Sequence, residues 1–244
     1  MVLDGIAGIL FDKDGTLIDY AASWGPVNRR IALQAAAGDA ALANHLLVSG
    51  GADPATGVAA ADSVLAAGNT IEIAAAWVAA GAPWRPAALE VALDAEFLAA
   101  ATTAVPVTDL AALFGRLNGL GLRIGIASSD SERAIRRMVA HFGLTATVEF
   151  IAGYDSGFGH KPDPGMVMAF CQATDLTAAQ VMMVGDNNHD LVMGRRAGVG
   201  AVIGVLTGTG TRDSLAPLAD LCLPSIAGLD VMLQNRARLP SFPG

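Results

Sequence analysis

The chain has 244 residues, of which 53% are hydrophobic and 16% charged, so it can bury a sizeable core and is not expected to be disordered. Its formal net charge of −8 argues against binding to nucleic acid or to an anionic membrane surface. The two cysteines, Cys171 and Cys222, lack metal-ligand spacing, and the N-terminus has no basic signal-peptide segment. We therefore expect a cytoplasmic globular protein whose anionic ligands are bound by local positive charge.

The first predicted element is a short buried strand at residues 6–12 that leads into Phe11-Asp12-Lys13-Asp14-Gly15-Thr16-Leu17. Two carboxylates, Asp12 and Asp14, stand two residues apart at the end of this strand, and their mutual repulsion calls for a cation. A divalent metal is expected because hard cations prefer carboxylate oxygens. One aspartate can act as a nucleophile and the other as a proton donor. This motif alone is equally compatible with two solvated acids in a turn.

The segment from Ile18 to about Thr103 is rich in alanine and shows no alternation typical of strands. Breaks at Gly50-Gly51, Asp53-Pro54 and Gly81-Ala82-Pro83 divide it into several predicted helices, the last at about residues 86–101. We interpret residues 17–103, called the cap segment below, as a separate all-helical insert.

Beyond about Val105 the chain alternates between helices and strands. Helices are predicted at 108–120, 131–142, 165–174, 191–197 and near the C-terminus, and strands at 122–127, 148–152, 181–185, 201–206 and 221–223. This alternation implies a parallel sheet with right-handed crossovers. The predicted fold is α/β, with a Rossmann-like parallel sheet core formed by residues 1–16 and 104–244. The Pro-rich tail at 239–244 is expected to be frayed.

Polar side chains follow four of the predicted strands. They are, in chain order, Asp12 with Asp14, Ser128 with Ser129, Lys161, and Asp186 with Asp190. Because the carboxyl ends of parallel strands share one edge of a sheet, these groups should surround one crevice. Carboxylates hold Mg²⁺, while hydroxyl and ammonium groups bind phosphate oxygens, so the set is typical of phosphoryl transfer.

The pattern resembles the haloacid dehalogenase superfamily along the whole predicted core. Residues 11–17 match the first motif of that superfamily, Asp-x-Asp-Gly-Thr, and Ser128 matches the second motif, a Ser or Thr after an apolar strand. Lys161 matches the third motif, and Gly185-Asp186-x-x-x-Asp190 matches the fourth. The cap segment resembles the C1 cap found in phosphoglycolate phosphatases of this superfamily.

The resemblance implies a role for each matched position. Asp12 would attack phosphorus and form an aspartyl-phosphate, and Asp14 would protonate the leaving oxygen and then activate water. Ser128 and Lys161 would bind the transferring phosphoryl group. The backbone N–H groups near Lys13, Asp14 and Ser129 would cradle its oxygens.

The resemblance also implies a Mg²⁺ site. Asp12, Asp186 and the main-chain carbonyl of Asp14 would bind the metal, and Asp190 would orient a metal-bound water. Outside the resemblance, Asp186 and Asp190 also fit a simpler role in capping a helix N-terminus, and Ser128 fits a helix cap.

Several reactions of the superfamily fit this chain less well than phosphomonoester hydrolysis. Dehalogenases lack the aspartate equivalent to Asp14, and phosphonatases need a cap lysine, whereas Lys13 and Lys161 are the two lysines of this chain. A small phosphorylated metabolite is the expected substrate, with 2-phosphoglycolate leading, although Tyr20 departs from the small serine of many phosphoglycolate phosphatases. A sugar phosphomutase, a pyrophosphatase and a non-catalytic phosphate-binding regulatory protein remain alternatives.

The cap segment should select the substrate, and the oligomeric state is expected to be monomer or homodimer. Cap residues able to meet a polar or anionic leaving group are Tyr20, Trp24, Asn28, Arg29, Arg30, Asn44 and Arg85. For any single one of them, the interpretation that we favour is a surface or cap-core position.

Overall fold

The computed structural model of the protein describes residues 5–237. Its centre is one six-stranded sheet whose neighbouring strands are all parallel. The strands are Gly8–Phe11 (β1), Arg123–Ala127 (β2), Phe150–Ala152 (β3), Val181–Gly185 (β4), Ala201–Val205 (β5) and Leu221–Leu223 (β6). Their order across the sheet is β3-β2-β1-β4-β5-β6, so the predicted α/β class with a parallel sheet is confirmed.

The strand order reverses between β1 and β4, which places a crevice at the carboxyl ends of these two strands. Phe11, the last residue of β1, pairs with Ile126 of β2 and with Val184 of β4. The residues that follow these three strands therefore lie at one edge of the sheet. Asp12 and Asp186 directly follow β1 and β4 at the point of reversal.

The central strands are apolar throughout because helices cover both faces of the sheet. Every residue of β1, β4 and β5 is buried, which explains why these strands are recognisable as continuous apolar runs rather than as alternating patterns. The structure gives β4 and β6 the predicted bounds, whereas β1 is shorter than the predicted 6–12.

Five helices occupy the cap segment and confirm its predicted helical character. They are Tyr20–Ala35 (α1), Ala40–Ser49 (α2), Val64–Ala67 (α3), Thr70–Ala79 (α4) and Pro86–Ala100 (α5). Asp19 and Asp39 cap α1 and α2 by accepting hydrogen bonds from backbone N–H groups of the first turn. Trp77, which is fully buried, lies in an apolar cluster formed by these helices. The division of the chain at residues 17 and 104 stays a prediction.

The remaining helices pack on the sheet. They are Leu110–Gly119 (α6), Glu132–His141 (α7), Gly165–Thr174 (α8), Asn188–Ala197 (α9), Arg212–Leu215 (α10) and Leu229–Ala237 (α11). Helix α9 begins three residues before the predicted Leu191, because Asn187 caps it and Asp190 accepts a reciprocal hydrogen bond from the Asn187 N–H. The short helices α3 and α10 were not predicted. The tail at 239–244 lies outside the described residues.

Within residues 5–237, every helix is too short or too polar to cross a lipid bilayer.

Candidate active site

The structure brings the predicted polar residues together at the carboxyl edge of the sheet. Asp12, Ser128 and Asp186 directly follow β1, β2 and β4, and all three side chains are buried. Asp190 lies in the first turn of α9, and Lys161 reaches the same place from the loop between β3 and α8. The parallel arrangement of the strands is what makes residues far apart in the sequence neighbours here.

Lys161 joins two of the carboxylates. Its Nζ lies 2.5 Å from Asp12 Oδ1 and 2.6 Å from Asp190 Oδ1, and its side chain is 3% exposed. Burial and the nearby charge of Asp190 raise the pKa of Asp12 to about 7, although Lys161 acts in the opposite direction. One ammonium group therefore does not fully offset the negative charge gathered at this site.

The chemistry of the donor set fits Mg²⁺. Carboxylate oxygens of Asp12, Asp186 and Asp190 lie within 4.8 Å of one another. Within residues 5–237, Asp12 Oδ2 and Asp186 Oδ1 accept no hydrogen bond, whereas both oxygens of Asp190 are engaged, by Lys161 and by the Asn187 N–H. Mg²⁺ is commonly held by one or two carboxylates together with waters. The open oxygens thus favour Asp12 and Asp186 as ligands, with Asp190 holding Lys161 in place.

The loop that follows β5 supports Asp186, a contact that the sequence analysis missed. The Thr209 N–H donates to Asp186 Oδ2 at 2.8 Å. Gly15 has a positive φ of 84°, and a Cβ built there would lie 2.5 Å from the Asp186 carboxylate. A Cβ on Gly208 would overlap the same group. These two glycines let the backbone approach Asp186 closely, which explains why the turn after Asp14 needs glycine.

Asp14 lies apart from this carboxylate cluster. Its Oδ1 accepts hydrogen bonds from Lys13 Nζ and from Trp24 Nε1, both at 2.7 Å. Lys13 Nζ also lies 3.1 Å from Asp130 Oδ2. Burial alone would lower the pKa of Lys13, but Asp14 and Asp130 raise it overall, so the ammonium stays charged. The participation of the Asp14 main-chain carbonyl in metal binding stays a prediction.

The two contacts that hold this part of the site were not foreseen. The sequence pattern does not single out Asp130, and it indicates Trp24 only as one of several cap residues able to contact the leaving group. The run of polar residues directly after β2 is the feature of the sequence that could have indicated a functional role for Asp130. It does not indicate that Asp130 pairs with Lys13.

The serines after β2 have different surroundings. Ser128 Oγ accepts a hydrogen bond from the Asp130 N–H at 3.1 Å, whereas Ser129 Oγ donates to the Ala67 carbonyl of the cap segment at 3.1 Å. The backbone N–H groups of Lys13, Asp14 and Ser129 donate no hydrogen bond to any acceptor in residues 5–237. These free donors lie beside Asp12 and Ser128, where they are available to an anion.

The family model for haloacid dehalogenase-like hydrolases matches residues 6–198. The chain belongs to this family. Among curated relatives, a phosphoglycolate phosphatase from Rhodospirillum rubrum is 32% identical over 92 residues, which cover 38% of each chain. A probable phosphatase, IndB, from Dickeya dadantii is 33% identical over 99 residues, covering 41% of this chain and 43% of the relative. The chain thus spans about two fifths of the length of these relatives.

Among solved structures, CbbY from Rhodobacter sphaeroides in complex with phosphate superposes with a TM-score of 0.69. It shares 21% identity, and the match covers 92% of this chain and 96% of that chain. This similarity shows that the two proteins share the fold. The haloacid dehalogenase-like fold is therefore common to both across almost their full lengths.

In this haloacid dehalogenase-like hydrolase, a cleft of about 650 Å³, including its open mouth, separates the sheet edge from the cap helices. Of the cap residues singled out from the sequence, Tyr20, Trp24 and Asn28 line the cleft. Arg29, Arg30, Asn44 and Arg85 do not line it and are exposed, which agrees with the surface position favoured for each of them. For Arg29 and Arg30 the reason is helical periodicity, which places both on the exposed face of α1.

Proposed function

We propose that this protein is a Mg²⁺-dependent phosphatase that hydrolyses small phosphomonoesters through an aspartyl-phosphate at Asp12. The observation that carries the proposal is the placement of Asp12 between Lys161 and a second carboxylate, Asp186. Beside them lie three backbone N–H groups that have no acceptor among the described residues. A nucleophile, positive charge and anion-binding donors are the groups that phosphoryl transfer requires.

In the first step, a carboxylate oxygen of Asp12 attacks phosphorus and the bond between phosphorus and the ester oxygen breaks. Asp14 gives its proton to that departing oxygen, which leaves as an alcohol. In the second step, Asp14 takes a proton from water as the water attacks phosphorus, so inorganic phosphate leaves and the Asp12 carboxylate is restored. Lys161 and Ser128 would hold the phosphoryl oxygens through both steps.

Asp12 and Asp186 would hold Mg²⁺, which would supply positive charge at the phosphoryl oxygens. Asp190 accepts from the Asn187 N–H and contacts Lys161, so its role is to fix the position of that ammonium group. Trp24 and Lys13 hold the Asp14 carboxylate, which lines the cleft.

The curated relatives support the phosphatase class. They favour 2-phosphoglycolate as substrate, whereas the chemistry of the cleft walls favours an ester without a second charge. A phosphomutase, a pyrophosphatase and a phosphate-binding regulator have no observation in the site that favours them over hydrolysis. The proposed partner is a small phosphorylated metabolite, and the monomer or homodimer and the cytoplasmic location stay predictions.

The test is phosphate release from a panel of 2-phosphoglycolate, sugar phosphates, nucleoside monophosphates, methyl phosphate and pyrophosphate, with Mg²⁺ and with EDTA. We expect release from monoesters that depends on Mg²⁺ and that stops in EDTA. Activity that is undiminished by EDTA would contradict the metal requirement. Binding of phosphate without release from any ester would favour the regulatory alternative.

Trp24→Phe should lower kcat by about tenfold and change KM much less, because it removes one hydrogen bond to a carboxylate that acts in the chemical step. The control is Trp84→Phe, since Trp84 Nε1 donates to the Ala35 carbonyl within the cap segment at 3.0 Å. Steady-state kinetics on both variants, with thermal unfolding alongside, separates the two roles. Equal losses of activity in both variants would make the Trp24 contact merely structural.

A further inference from the structure

The cleft has two walls of different chemistry. The core wall, formed by residues that follow the sheet strands, carries Asp12, Asp14, Asp186, Asp190 and Lys161. The cap wall is formed by residues of α1, α3, α4 and α5 and of the turn between α3 and α4, and none of its described lining side chains is charged. A phosphoryl group at Asp12 would leave the rest of an ester facing this uncharged wall.

The cap wall is largely apolar where it faces the cleft. Trp24 and Phe97 meet edge to face, with ring centroids 5.3 Å apart, and Leu65 and Ile73 extend the same surface. An apolar surface with two aromatic rings favours contact with a flat or branched apolar group over contact with a strongly hydrated polar group.

Two of the polar cap-wall side chains have their donors engaged, whereas the buried Thr70 hydroxyl has no hydrogen-bond partner in the described residues. The Tyr20 hydroxyl donates to the Leu65 carbonyl at 2.9 Å, and Asn28 Nδ2 donates to the Gly57 carbonyl at 2.9 Å. Both hydrogen bonds are buried. Binding a carboxylate with these groups would require breaking contacts that hold the cap helices together.

The arginines of the cap segment, Arg29, Arg30 and Arg85, do not line the cleft, and two of them have partners elsewhere. Arg29 donates to the carbonyls of Ala55 and Thr56, and Arg30 pairs with Glu96 at 3.0 Å. Among the described lining residues, Lys161 and His189 are the side chains able to carry positive charge, and both belong to the core wall. A second anionic group on the substrate would therefore be buried against the cap wall without a positively charged partner, which is costly.

Resting on the proposed phosphatase function, we infer that the substrate is the phosphomonoester of an uncharged alcohol with an apolar or aromatic body, rather than an ester that carries a carboxylate or a second phosphate. The phosphoryl group would be held at the core wall by Lys161, by the free backbone N–H groups and by the Mg²⁺ that Asp12 and Asp186 would bind. The apolar body would contact the cap wall. A cationic alcohol is disfavoured for the same reason as an anionic one, because the cap wall offers it no carboxylate.

The test compares four esters under saturating Mg²⁺: methyl phosphate, benzyl phosphate, 2-phosphoglycolate and phosphoethanolamine. Methyl phosphate reports the chemistry alone, since it scarcely reaches the cap wall. The other three all release a primary alcohol, so differences in kcat/KM reflect how the leaving group is bound. We expect kcat/KM for benzyl phosphate to exceed that for either charged ester by at least about tenfold.

A matched pair of variants tests the cause. Ala66, on α3, lines the cleft and is only half-buried, so a longer side chain can be accommodated there. Ala66→Lys adds a cation to the cap wall, and Ala66→Met adds a chain of similar length without charge. The ratio of kcat/KM for 2-phosphoglycolate to that for benzyl phosphate should rise at least about tenfold in Ala66→Lys relative to Ala66→Met.

The outcomes separate the two proposals. A preference of the unmodified protein for 2-phosphoglycolate or phosphoethanolamine overturns the substrate inference and leaves the phosphatase function standing. Equal ratios in Ala66→Lys and Ala66→Met overturn the electrostatic explanation of the preference. Failure to hydrolyse all four esters, methyl phosphate included, overturns the phosphatase function and with it the inference that rests on it.

Discussion

Asp12→Asn is expected to fold normally and to lose at least about a thousandfold in turnover, because a neutral amide is a poor nucleophile toward phosphorus. Folding should be preserved because the change keeps the shape of the side chain, and Lys161 retains Asp190 as a charged partner. Burial and the charge of Asp190 raise the pKa of Asp12 to about 7, so the ionised carboxylate is disfavoured in the folded metal-free protein. In EDTA at pH 8, the variant should be at least as stable as the unmodified protein.

The control for this substitution is Asp163→Asn. Asp163 follows Lys161 in the same loop, but its side chain is 71% exposed. Its one salt-bridge partner among the described residues is Arg196, which is also exposed. The change should leave turnover and stability nearly unaltered. Phosphate release and thermal unfolding in EDTA measure both effects, and residual turnover above a tenth in Asp12→Asn would contradict the aspartyl-phosphate mechanism.

Lys161→Met is expected to lower the free energy of unfolding by about 3–5 kcal/mol in EDTA at pH 8 and to abolish activity. The ammonium group is buried and contacts Asp12 and Asp190 at once, so its loss leaves two buried carboxylates without a counter-charge. The matched control is Arg196→Met, which breaks the exposed pair with Asp163 at 3.4 Å and should cost less than about 1 kcal/mol.

The stability deficit of Lys161→Met should shrink as the pH falls from 8 to 5. Burial and neighbouring carboxylates raise the pKa of Asp12 and of Asp186 above their ordinary values. At pH values between the pKa of each carboxyl group in the unfolded chain and its higher pKa in the folded protein, the folded state binds more protons. The free energy of unfolding therefore rises as the pH falls through this range. Removal of Lys161 raises the pKa of Asp12 further, so the variant gains more stability on acidification than the unmodified protein does. Urea unfolding at several pH values measures the difference in free energy of unfolding between the two proteins. A difference that grows on acidification would contradict the role assigned to the raised pKa values.

The sequence predicted the bounds of strands and helices correctly where a buried element is a continuous apolar run. The strand at 181–185 and the helix at 165–174 have the predicted bounds, because each is an apolar run between clear breakers. The parallel sheet also followed from the alternation of elements. The start of α9 was misplaced because its cap uses Asn187 and Asp190 rather than an apolar residue.

The carboxylate cluster was predictable for a topological reason. Residues that follow parallel strands must share one edge of the sheet, so Asp12, Asp186 and Lys161 could be placed together before any distance was known. The partners of Asp14 could not be predicted in this way. Trp24 belongs to the cap segment, and its contact depends on how that segment sits over the sheet.

The sequence by itself determined the α/β class, the helical character of the cap segment and the residues that gather at the sheet edge. Hydrophobic periodicity is a local property, and alternating strands and helices imply a parallel sheet. Only the tertiary structure decided that Asp130 pairs with Lys13, that the loop carrying Thr209 supports Asp186, and that the arginines of the cap segment do not line the cleft. Periodicity shows which residues share a helix face, but the packing of whole elements decides which face meets the site. The charge of the cleft, and hence the kind of ester it fits, depends on that packing.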